Sequence, residues 1–269
     1  MNLPTNGDRL ARLITPREHA AAMELVRRVR RGVPAELWRA LLFGSRARGE
    51  GRPDSDLDVL LVFRALPPDR EPHAGIAEWI AEEVAEETGV PVTVWSISLP
   101  DLERGWRTPM LVDSLDDAIP LWPADAPAPR VDFTPEDALY CTGQLLDRVE
   151  EGSAEVEEAF DAGELGAAAR RARDDLVRLC TAALLLEGIT RPRTAESVRC
   201  LVARHGAPRE VEPVLRWAAA SYGADGKDHG GPIPPPPGGL GAAARAVDAL
   251  RGCVVGLRRE LATALGGRG

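Results

Sequence analysis

The chain has 269 residues and a formal net charge of −9, which argues against an extended nucleic-acid surface, because such a surface needs clustered cations that neutralise many phosphates. The apolar fraction of 44% and the charged fraction of 28% are those of an ordinary globular protein, which excludes wholesale disorder. Residues Met1 to Asp8 lack the basic-then-apolar pattern of a signal peptide, and no apolar run is long enough to span a bilayer, so we expect a cytoplasmic protein without membrane contact.

The first 100 residues predict a small α/β unit. A capping box at Thr15 to Glu18, with proline at the first helical position, predicts the start of the first helix. The further elements predicted from apolar runs and periodicity are strands over Leu37 to Phe43 and Leu57 to Phe63, a helix over Ile76 to Glu87 and a strand over Val92 to Ile97. The second strand is nearly all apolar and is expected to be buried on both faces. Apolar residues at helical spacing in the second helix, Trp79 among them, form the face expected to cover the sheet.

A proline-rich segment from Pro120 to Pro135 predicts a linker, and the chain beyond it is helical in pattern. The predicted helices run over Glu136 to Glu150, Ser153 to Phe160, Leu165 to Leu186, Ala195 to Arg204, Glu210 to Ser221 and Leu240 to Leu265. Gly223 to Gly239 contains four consecutive prolines and predicts an exposed loop or a crossover connection. We therefore expect a first domain over residues 1–122, a linker over 123–135 and an all-α helical bundle over 136–269.

A glycine and a serine directly follow the first predicted strand. Gly44 has no side chain, so its backbone can turn sharply and approach a phosphate closely. Ser45 adds a hydroxyl group, and the amides of a helix that begins there would face the anion. Arg46 and Arg48 are close enough in sequence to help, and an arginine guanidinium suits phosphate oxygens. The segment therefore predicts a phosphate-binding turn.

Two aspartates lie at the start of the second predicted strand. Asp56 and Asp58 are two residues apart, so their carboxylates project from one face while Leu57 and Val59 project from the other. Such a pair beside a buried apolar run would be costly unless a divalent cation compensated it. Mg²⁺ fits, because it is a hard cation that binds a few carboxylates together with substrate phosphates.

Together these residues resemble the polymerase-β-like nucleotidyltransferases in their small, minimal form. The signature of that family is Gly-Ser, ten residues and then Asp-x-Asp, a spacing that Gly44-Ser45 and Asp56-Leu57-Asp58 keep. The resemblance implies an α/β (α+β) nucleotidyltransferase domain with a small mixed sheet, which uses Mg²⁺ and takes ATP or another nucleoside triphosphate as donor. It also implies that the two aspartates are catalytic and bind the metal, and that the turn with its two arginines binds the nucleotide.

The chain departs from the family at one position. Many relatives place a third carboxylate on the next strand, where this chain has Thr93. The third acid would then come from elsewhere, or two aspartates suffice and the acceptor is deprotonated by a helical-domain residue or by water, or the protein binds nucleotide with little turnover. The acids available elsewhere are Glu86, Glu87, Asp113, Asp116, Asp117, Glu136 and Asp137.

A minimal transferase domain followed by a helical domain resembles the aminoglycoside adenylyltransferases, in which the acceptor lies between the two domains. The streptomycin/spectinomycin-modifying branch has a lysine after a proline and a tyrosine late in the helical domain, and Arg193 and Tyr222 stand at similar positions here. This implies that Arg193 binds the triphosphate and Tyr222 the nucleotide; a solvated arginine and a packed core tyrosine are the alternatives. The helical domain also resembles HEPN bundles, but it lacks the Arg-x4-6-His motif of their RNases, which disfavours RNase activity.

The resemblances imply an enzyme that transfers a nucleoside monophosphate, AMP first of all, to a hydroxyl of a small polar molecule such as an aminoglycoside-like antibiotic, and hence a role in antibiotic resistance. Protein AMPylation at a Ser, Thr or Tyr hydroxyl is a second hypothesis. A nucleotide-binding, antitoxin-like module with reduced turnover is a third. The sequence leaves open the base of the nucleotide, the acceptor, the number of metal ions and the oligomeric state, with a homodimer as one alternative.

Overall fold

The computed structural model describes residues 6–53, 55–66, 71–191, 195–222 and 231–266, with the side chains of 71–74 left out. The chain forms two compact units, Met1–Asp132 and Phe133–Gly269. The break between them lies inside the predicted linker, whereas the domain bounds themselves stay a prediction. In the described part of the chain, no helix has the length and the apolar character that crossing a membrane would need.

The first unit is a small mixed sheet, as the family resemblance implies, and it has helices on both faces. Its elements in chain order are α1 (Asn6–Leu13), α2 (Pro16–Gly32), β1 (Leu37–Phe43), α3 (Gly44–Arg48), β2 (Leu57–Phe63), α4 (Glu71–Thr88), β3 (Val92–Ser98), α5 (Leu99–Arg104), α6 (Pro109–Asp117) and β4 (Ile119–Trp122). The strand order is β3-β2-β1-β4. β1 runs antiparallel to β2 and β4, whereas β2 and β3 are parallel.

Strand β2 is buried on both faces, which confirms the expectation from its apolar sequence. Leu57, Val59 and Leu61 pack with side chains of α1, α2 and α4 on one face of the sheet. Leu60 and Val62 pack with side chains of α5 and α6 on the other face. Because strand side chains alternate, Asp58 projects toward the α5/α6 face.

Four elements of this unit lie outside the elements predicted from the sequence: α1, α5, α6 and β4. The sequence placed Pro120 in the linker, but it lies in β4, whose neighbours Ile119 and Leu121 are buried. Proline is compatible with this position because β4 is an edge strand, where one side of the backbone needs no hydrogen-bonded partner. The sequence also placed Trp79 on the buried face of α4, which is wrong, because its side chain is 58% exposed.

The second unit is helical, as expected. It contains α7 (Pro135–Asp161), α8 (Leu165–Leu186), α9 (Ala195–His205), α10 (Glu212–Ala220) and α11 (Gly239–Gly266). Helix α8 forms the centre of its core, with Leu176, Leu179 and Leu184 fully buried. Residues 231–238 have no regular secondary structure, as the loop prediction requires, and the preceding part of that loop, 223–230, lies outside the described residues.

The two helices expected over Glu136 to Glu150 and Ser153 to Phe160 are one continuous helix, α7, and this part of the sequence-based prediction is wrong. The apparent break at Gly152 is a packing feature. A Cβ atom there would lie 2.7 Å from Asp175 Oδ2 and closer still to Arg171 Nε of α8. The glycine therefore lets α7 approach α8 closely without interrupting the helix.

Asp175 gives the second unit a defined pH dependence. Its side chain is almost fully buried, and burial raises its pKa from an ordinary value near 3.8 to about 6, although the Arg178 and Arg171 guanidinium groups partly oppose that shift. Since the folded pKa lies above the unfolded value, the group contributes stability that is fully present below about pH 4 and lost as the pH rises through about 6. An asparagine side chain does not titrate, so Asp175→Asn lacks this pH-dependent contribution to stability.

We therefore expect the stability of Asp175→Asn, relative to the unaltered protein, to improve between pH 4 and pH 7 by at most about 3 kcal/mol. Thermal unfolding of both proteins at pH 4, 5, 6 and 7 measures this difference. Because every other carboxyl group is common to the two proteins, their titration cancels. A stability difference that does not change with pH would contradict the assignment.

Candidate active site

The turn after β1 is built so that only glycine fits at position 44. Gly44 has φ +74°, in the left-handed region that side chains disfavour. A Cβ atom on Gly44 would lie 2.9 Å from Asp58 Cγ and closer still to Asp58 Oδ2. The antiparallel register explains this approach, because Phe43 of β1 pairs with Asp58 of β2. The Gly44 turn and the Asp58 carboxylate, which are the two parts of the sequence motif, thus pack directly against each other.

Gly44 begins the single helical turn α3, and Ser45 follows it with a half-buried side chain. The turn ends at Gly49, which has φ +76° and donates from its backbone amide to the Arg46 carbonyl oxygen. The Glu50 amide donates to the Ser45 carbonyl oxygen at 2.9 Å. The backbone around Ser45 is therefore held at both ends by glycines with positive φ.

The two aspartates flank the buried Leu57. Asp56 lies directly before β2 with an exposed side chain, and Asp58 is the second residue of the strand with a half-buried side chain. The amide of Leu57 between them donates to the Pro91 carbonyl oxygen at 2.8 Å, which fixes the entry to the strand. Asp56 and Asp58 therefore project to the same face of the sheet. Asp54, which precedes them, lies outside the described residues.

Thr93 lies beside this pair. It is paired with Asp58 in the parallel β2/β3 register, and its Oγ1 donates to Asp56 Oδ2 at 3.0 Å. The position where relatives carry a third acid is thus next to both aspartates and holds a hydroxyl group. This group can orient the Asp56 carboxylate, but an unactivated alcohol does not serve as a base near neutral pH.

Arg46 is held by contacts within the first unit. Its Nη2 lies 2.8 Å from Glu18 Oε1 and donates to the Ser55 carbonyl oxygen at 3.2 Å. Glu18 in turn accepts from the Thr15 backbone amide in the capping box of α2. Arg46 thereby ties α3 and the chain before Asp56 to the start of α2. Its expected contact with phosphate stays a prediction.

Arg48 is the last residue of α3. Its guanidinium lies 2.7 Å from Glu50 Oε2 and 3.3 Å from Asp117 Oδ2. It borders a cavity of about 570 Å³ to which Arg9 and Arg12 of α1 also contribute. These contacts link α1, α3 and α6, and the expected role of Arg48 at the nucleotide likewise stays a prediction.

Tyr222 lies in the second unit and makes local contacts there. Its hydroxyl donates to Asp174 Oδ1 at 2.8 Å, and the Arg173 guanidinium carbon lies 4.3 Å from the centre of its ring. Arg173 is only 1% exposed and pairs with the same Asp174 oxygen at 2.7 Å. This cluster joins α8 to the end of α10. Arg193, which the family resemblance assigns to triphosphate binding, lies outside the described residues.

The acids that the sequence offered as a third carboxylate lie on three different helices, α4, α6 and α7. Asp113 is buried on α6, the helix that covers the same sheet face as Asp58. Asp117, on the same helix, pairs with Arg48. Glu87 at the end of α4 pairs with Arg28, and Asp137 belongs to the capping box of α7.

The donor set of the candidate site fits Mg²⁺ bound together with a triphosphate. Asp56 and Asp58 offer carboxylate oxygens on one face, next to a glycine turn with no side chain to block a phosphate. Within the described ranges, no group of three or more His, Cys, Asp or Glu side chains is arranged to hold a metal ion. Because these two aspartates offer only part of the ligand set of Mg²⁺, the remaining ligands would be phosphate oxygens and water.

Comparison with known proteins agrees with this geometry. Residues 23–119 match the family model described as the nucleotidyltransferase domain, a range that runs from α2 to the start of β4 and includes Gly44, Asp56, Asp58 and Thr93. No curated protein matches the chain significantly. The expected polymerase-β-like domain is thus supported, while the resemblance of the second unit to aminoglycoside adenylyltransferases stays a prediction. The match covers the part of the first unit that holds the candidate site, and it supports an enzyme of the nucleotidyl-transferring class.

Proposed function

We propose that the protein transfers AMP from ATP, with Mg²⁺, to a hydroxyl group of a small polar molecule, with aminoglycoside-like antibiotics as the first acceptors to test. The observation that carries this proposal is the contact between Gly44 and the Asp58 carboxylate. It joins a turn that can receive phosphates to a pair of carboxylates that can hold a cation. A nucleotidyltransferase domain over residues 23–119 supports the transfer of a nucleoside monophosphate in general.

In this mechanism the turn at Gly44 and Ser45 receives the β- and γ-phosphates, because the missing side chain allows close backbone approach. Asp56 and Asp58 would hold Mg²⁺, which neutralises the negative charge that develops on the phosphate oxygens. The acceptor oxygen forms a bond to the α-phosphorus while the bond from that phosphorus to the bridging oxygen breaks. Pyrophosphate leaves, and the acceptor proton passes to water.

Thr93 acts in this mechanism as a positioning residue. Its hydroxyl donates to one oxygen of Asp56 and would orient this carboxylate when it holds a cation. Because the position carries no carboxylate, Thr93 adds no negative charge to the site. Its effect should therefore appear in the metal dependence of the reaction.

We expect Thr93→Val to weaken the apparent Mg²⁺ affinity of the reaction by about tenfold, whereas Thr93→Ser, which keeps the hydroxyl, stays close to the unaltered protein. Valine has nearly the same shape as threonine, so the fold is preserved. Initial rates measured across a Mg²⁺ titration at saturating ATP check this. Equal Mg²⁺ dependence in Thr93→Val and Thr93→Ser would show that the hydrogen bond has no role in metal binding.

The proposal is tested by incubating the full chain with Mg²⁺ and ATP labelled at the α-phosphate, alone and with a panel of aminoglycosides. Label on a small molecule, with release of pyrophosphate, supports the proposal. Label on protein would assign AMPylation instead. Tight nucleotide binding without transfer would assign the nucleotide-binding module, and the absence of nucleotide binding would overturn all three.

A further inference from the structure

Arg46 is enclosed within the first unit, although the family resemblance assigns it to nucleotide binding. Its side chain is only 13% exposed, and the Glu18 side chain beside it is 11% exposed. The chain after α3 passes directly over the arginine, because a Cβ atom on Gly51 would lie 3.0 Å from Arg46 Nε and closer still to Cδ. The glycine thus leaves room for the arginine side chain. Arg46 is packed into the fold and not displayed on the surface.

Three acceptors surround one nitrogen of Arg46. Its Nη2 lies 2.8 Å from Glu18 Oε1, and it donates to the backbone carbonyl oxygens of Ser55 at 3.2 Å and Pro53 at 3.5 Å. The other oxygen of the Glu18 carboxylate, Oε2, accepts from the Thr15 backbone amide at 2.7 Å. Glu18 therefore holds Arg46 with one oxygen and the start of α2 with the other.

A phosphate group would have to compete with Glu18 for this nitrogen. Separating a buried ion pair leaves the remaining carboxylate without compensation for its charge, which is costly. The Ser55 carbonyl oxygen would lose its hydrogen bond from Arg46 at the same time. The mechanism proposed above does not need a phosphate contact from Arg46, because the turn at Gly44 and Ser45 receives the phosphates.

The carbonyl group that Arg46 holds belongs to the residue directly before Asp56. Asp56 itself precedes Leu57, the first residue of β2, so the strand does not fix its position. Its backbone is instead fixed from two sides. The Leu57 amide donates to the Pro91 carbonyl oxygen at 2.8 Å, and the Ser55 carbonyl oxygen accepts from Arg46. Arg46 thus holds the backbone from which the Asp56 carboxylate projects.

We propose that Arg46, held by Glu18, is a positioning residue that fixes Asp56 at the cation through the Ser55 carbonyl group, and that it does not bind phosphate. The proposal rests on the function proposed above, because it takes Asp56 as a ligand of Mg²⁺. Hydrogen-bonded partners that hold a metal ligand in place commonly change the metal affinity by about 10- to 100-fold. The role of Arg46 is therefore measurable as metal affinity.

Binding of Mn²⁺ to the full chain in the presence of α,β-methylene ATP, followed by electron paramagnetic resonance, tests the proposal. Mn²⁺ is the paramagnetic probe for the Mg²⁺ site. The variants are Arg46→Gln, Glu18→Gln and the combination of both. Thr15→Ala is the matched control, because it removes the hydroxyl group that accepts from the Glu18 amide but keeps the Glu18 carboxylate and Arg46.

Two further measurements are made on each variant without metal. The affinity for α,β-methylene ATP alone reports direct contacts with phosphate. Hydrogen exchange of the Leu57 amide reports the order of the backbone beside Asp56, because this amide donates to the Pro91 carbonyl oxygen.

We expect Arg46→Gln to weaken Mn²⁺ binding by about tenfold and Glu18→Gln to weaken it as well, although a carboxylate does not bind phosphate. The double variant should resemble Arg46→Gln, because the two residues act as one unit. Exchange of the Leu57 amide should become faster in these variants. Thr15→Ala and the metal-free nucleotide affinity should stay unchanged. If Arg46→Gln does not fold because Glu18 is left buried and unpaired, the double variant, which lacks that charge, provides the same test.

Weaker metal-free nucleotide binding in Arg46→Gln, with unchanged or tighter binding in Glu18→Gln, would identify Arg46 as a phosphate ligand and overturn the proposal. Equal Mn²⁺ affinity in all variants would also overturn it, while the transfer function would stand. The expected Mn²⁺ pattern without AMP transfer to any acceptor would support the positioning role and contradict the transfer function. Failure of the unaltered protein to bind Mn²⁺ would contradict both.

Discussion

Asp58→Asn is expected to lower the rate of nucleotide transfer by about a thousandfold or more, because it removes one of two carboxylates that would neutralise the phosphate charge. Asparagine keeps the shape of the side chain that packs against Gly44, so the turn should remain intact. We therefore expect the thermal midpoint of unfolding to change little while activity is lost.

Asp125→Asn provides the matched control for this prediction. Asp125 is an exposed aspartate that follows β4 in the same unit, so its replacement changes the net charge equally but leaves the candidate site untouched. Rates of AMP transfer and the affinity for Mg²⁺ with ATP should change in Asp58→Asn and stay within about twofold in the control. Mg²⁺-dependent nucleotide binding that survives in both Asp58→Asn and Asp56→Asn would refute the site.

The core of the candidate site could be predicted from the sequence because it is encoded locally. Gly44 and Asp58 lie at the end of one strand and the start of the next, so the antiparallel pairing of β1 and β2 brings them together directly. The alternation of side chains along β2 then fixes the face on which Asp58 lies. Thr93 could be identified as a departure from the family, and its position beside Asp58 follows from the parallel β2/β3 pairing.

Other parts of the site depend on contacts between residues that are distant in sequence. Glu18 was recognised as a capping residue of α2, but a capping pattern gives no sign that its carboxylate also receives Arg46. Trp106 lies in an irregular segment between two short helices, α5 and α6, that periodicity did not reveal. Its place along β3 follows only from how those helices fold back over the sheet. Such long-range packing decides how α5 and α6 cover the sheet, and no local pattern predicts it.

Gly44→Ala is expected to lower the free energy of unfolding by about 2 kcal/mol or more, and to reduce nucleotide transfer as strongly as the loss of Asp58 does. Two separate costs contribute. Alanine is strained at φ +74°, and its methyl group would occupy the space of the Asp58 carboxylate. The carboxylate must move, and it would then no longer lie beside the turn that is proposed to receive the phosphates. Chemical denaturation and initial-rate measurements check the two effects.

Gly163→Ala separates these two costs. Gly163 has φ +78°, and no other atom lies within 4 Å of the Cβ position, so alanine there meets only the backbone strain. The excess destabilisation in Gly44→Ala then measures the steric conflict with Asp58. Combining Gly44→Ala with Asp58→Ala should remove that excess, because the smaller side chain leaves room for the new methyl group, and the two changes should be strongly non-additive. Additive effects would mean that the turn and the carboxylate are energetically independent, and the contact proposed to join the two halves of the site would lose its significance.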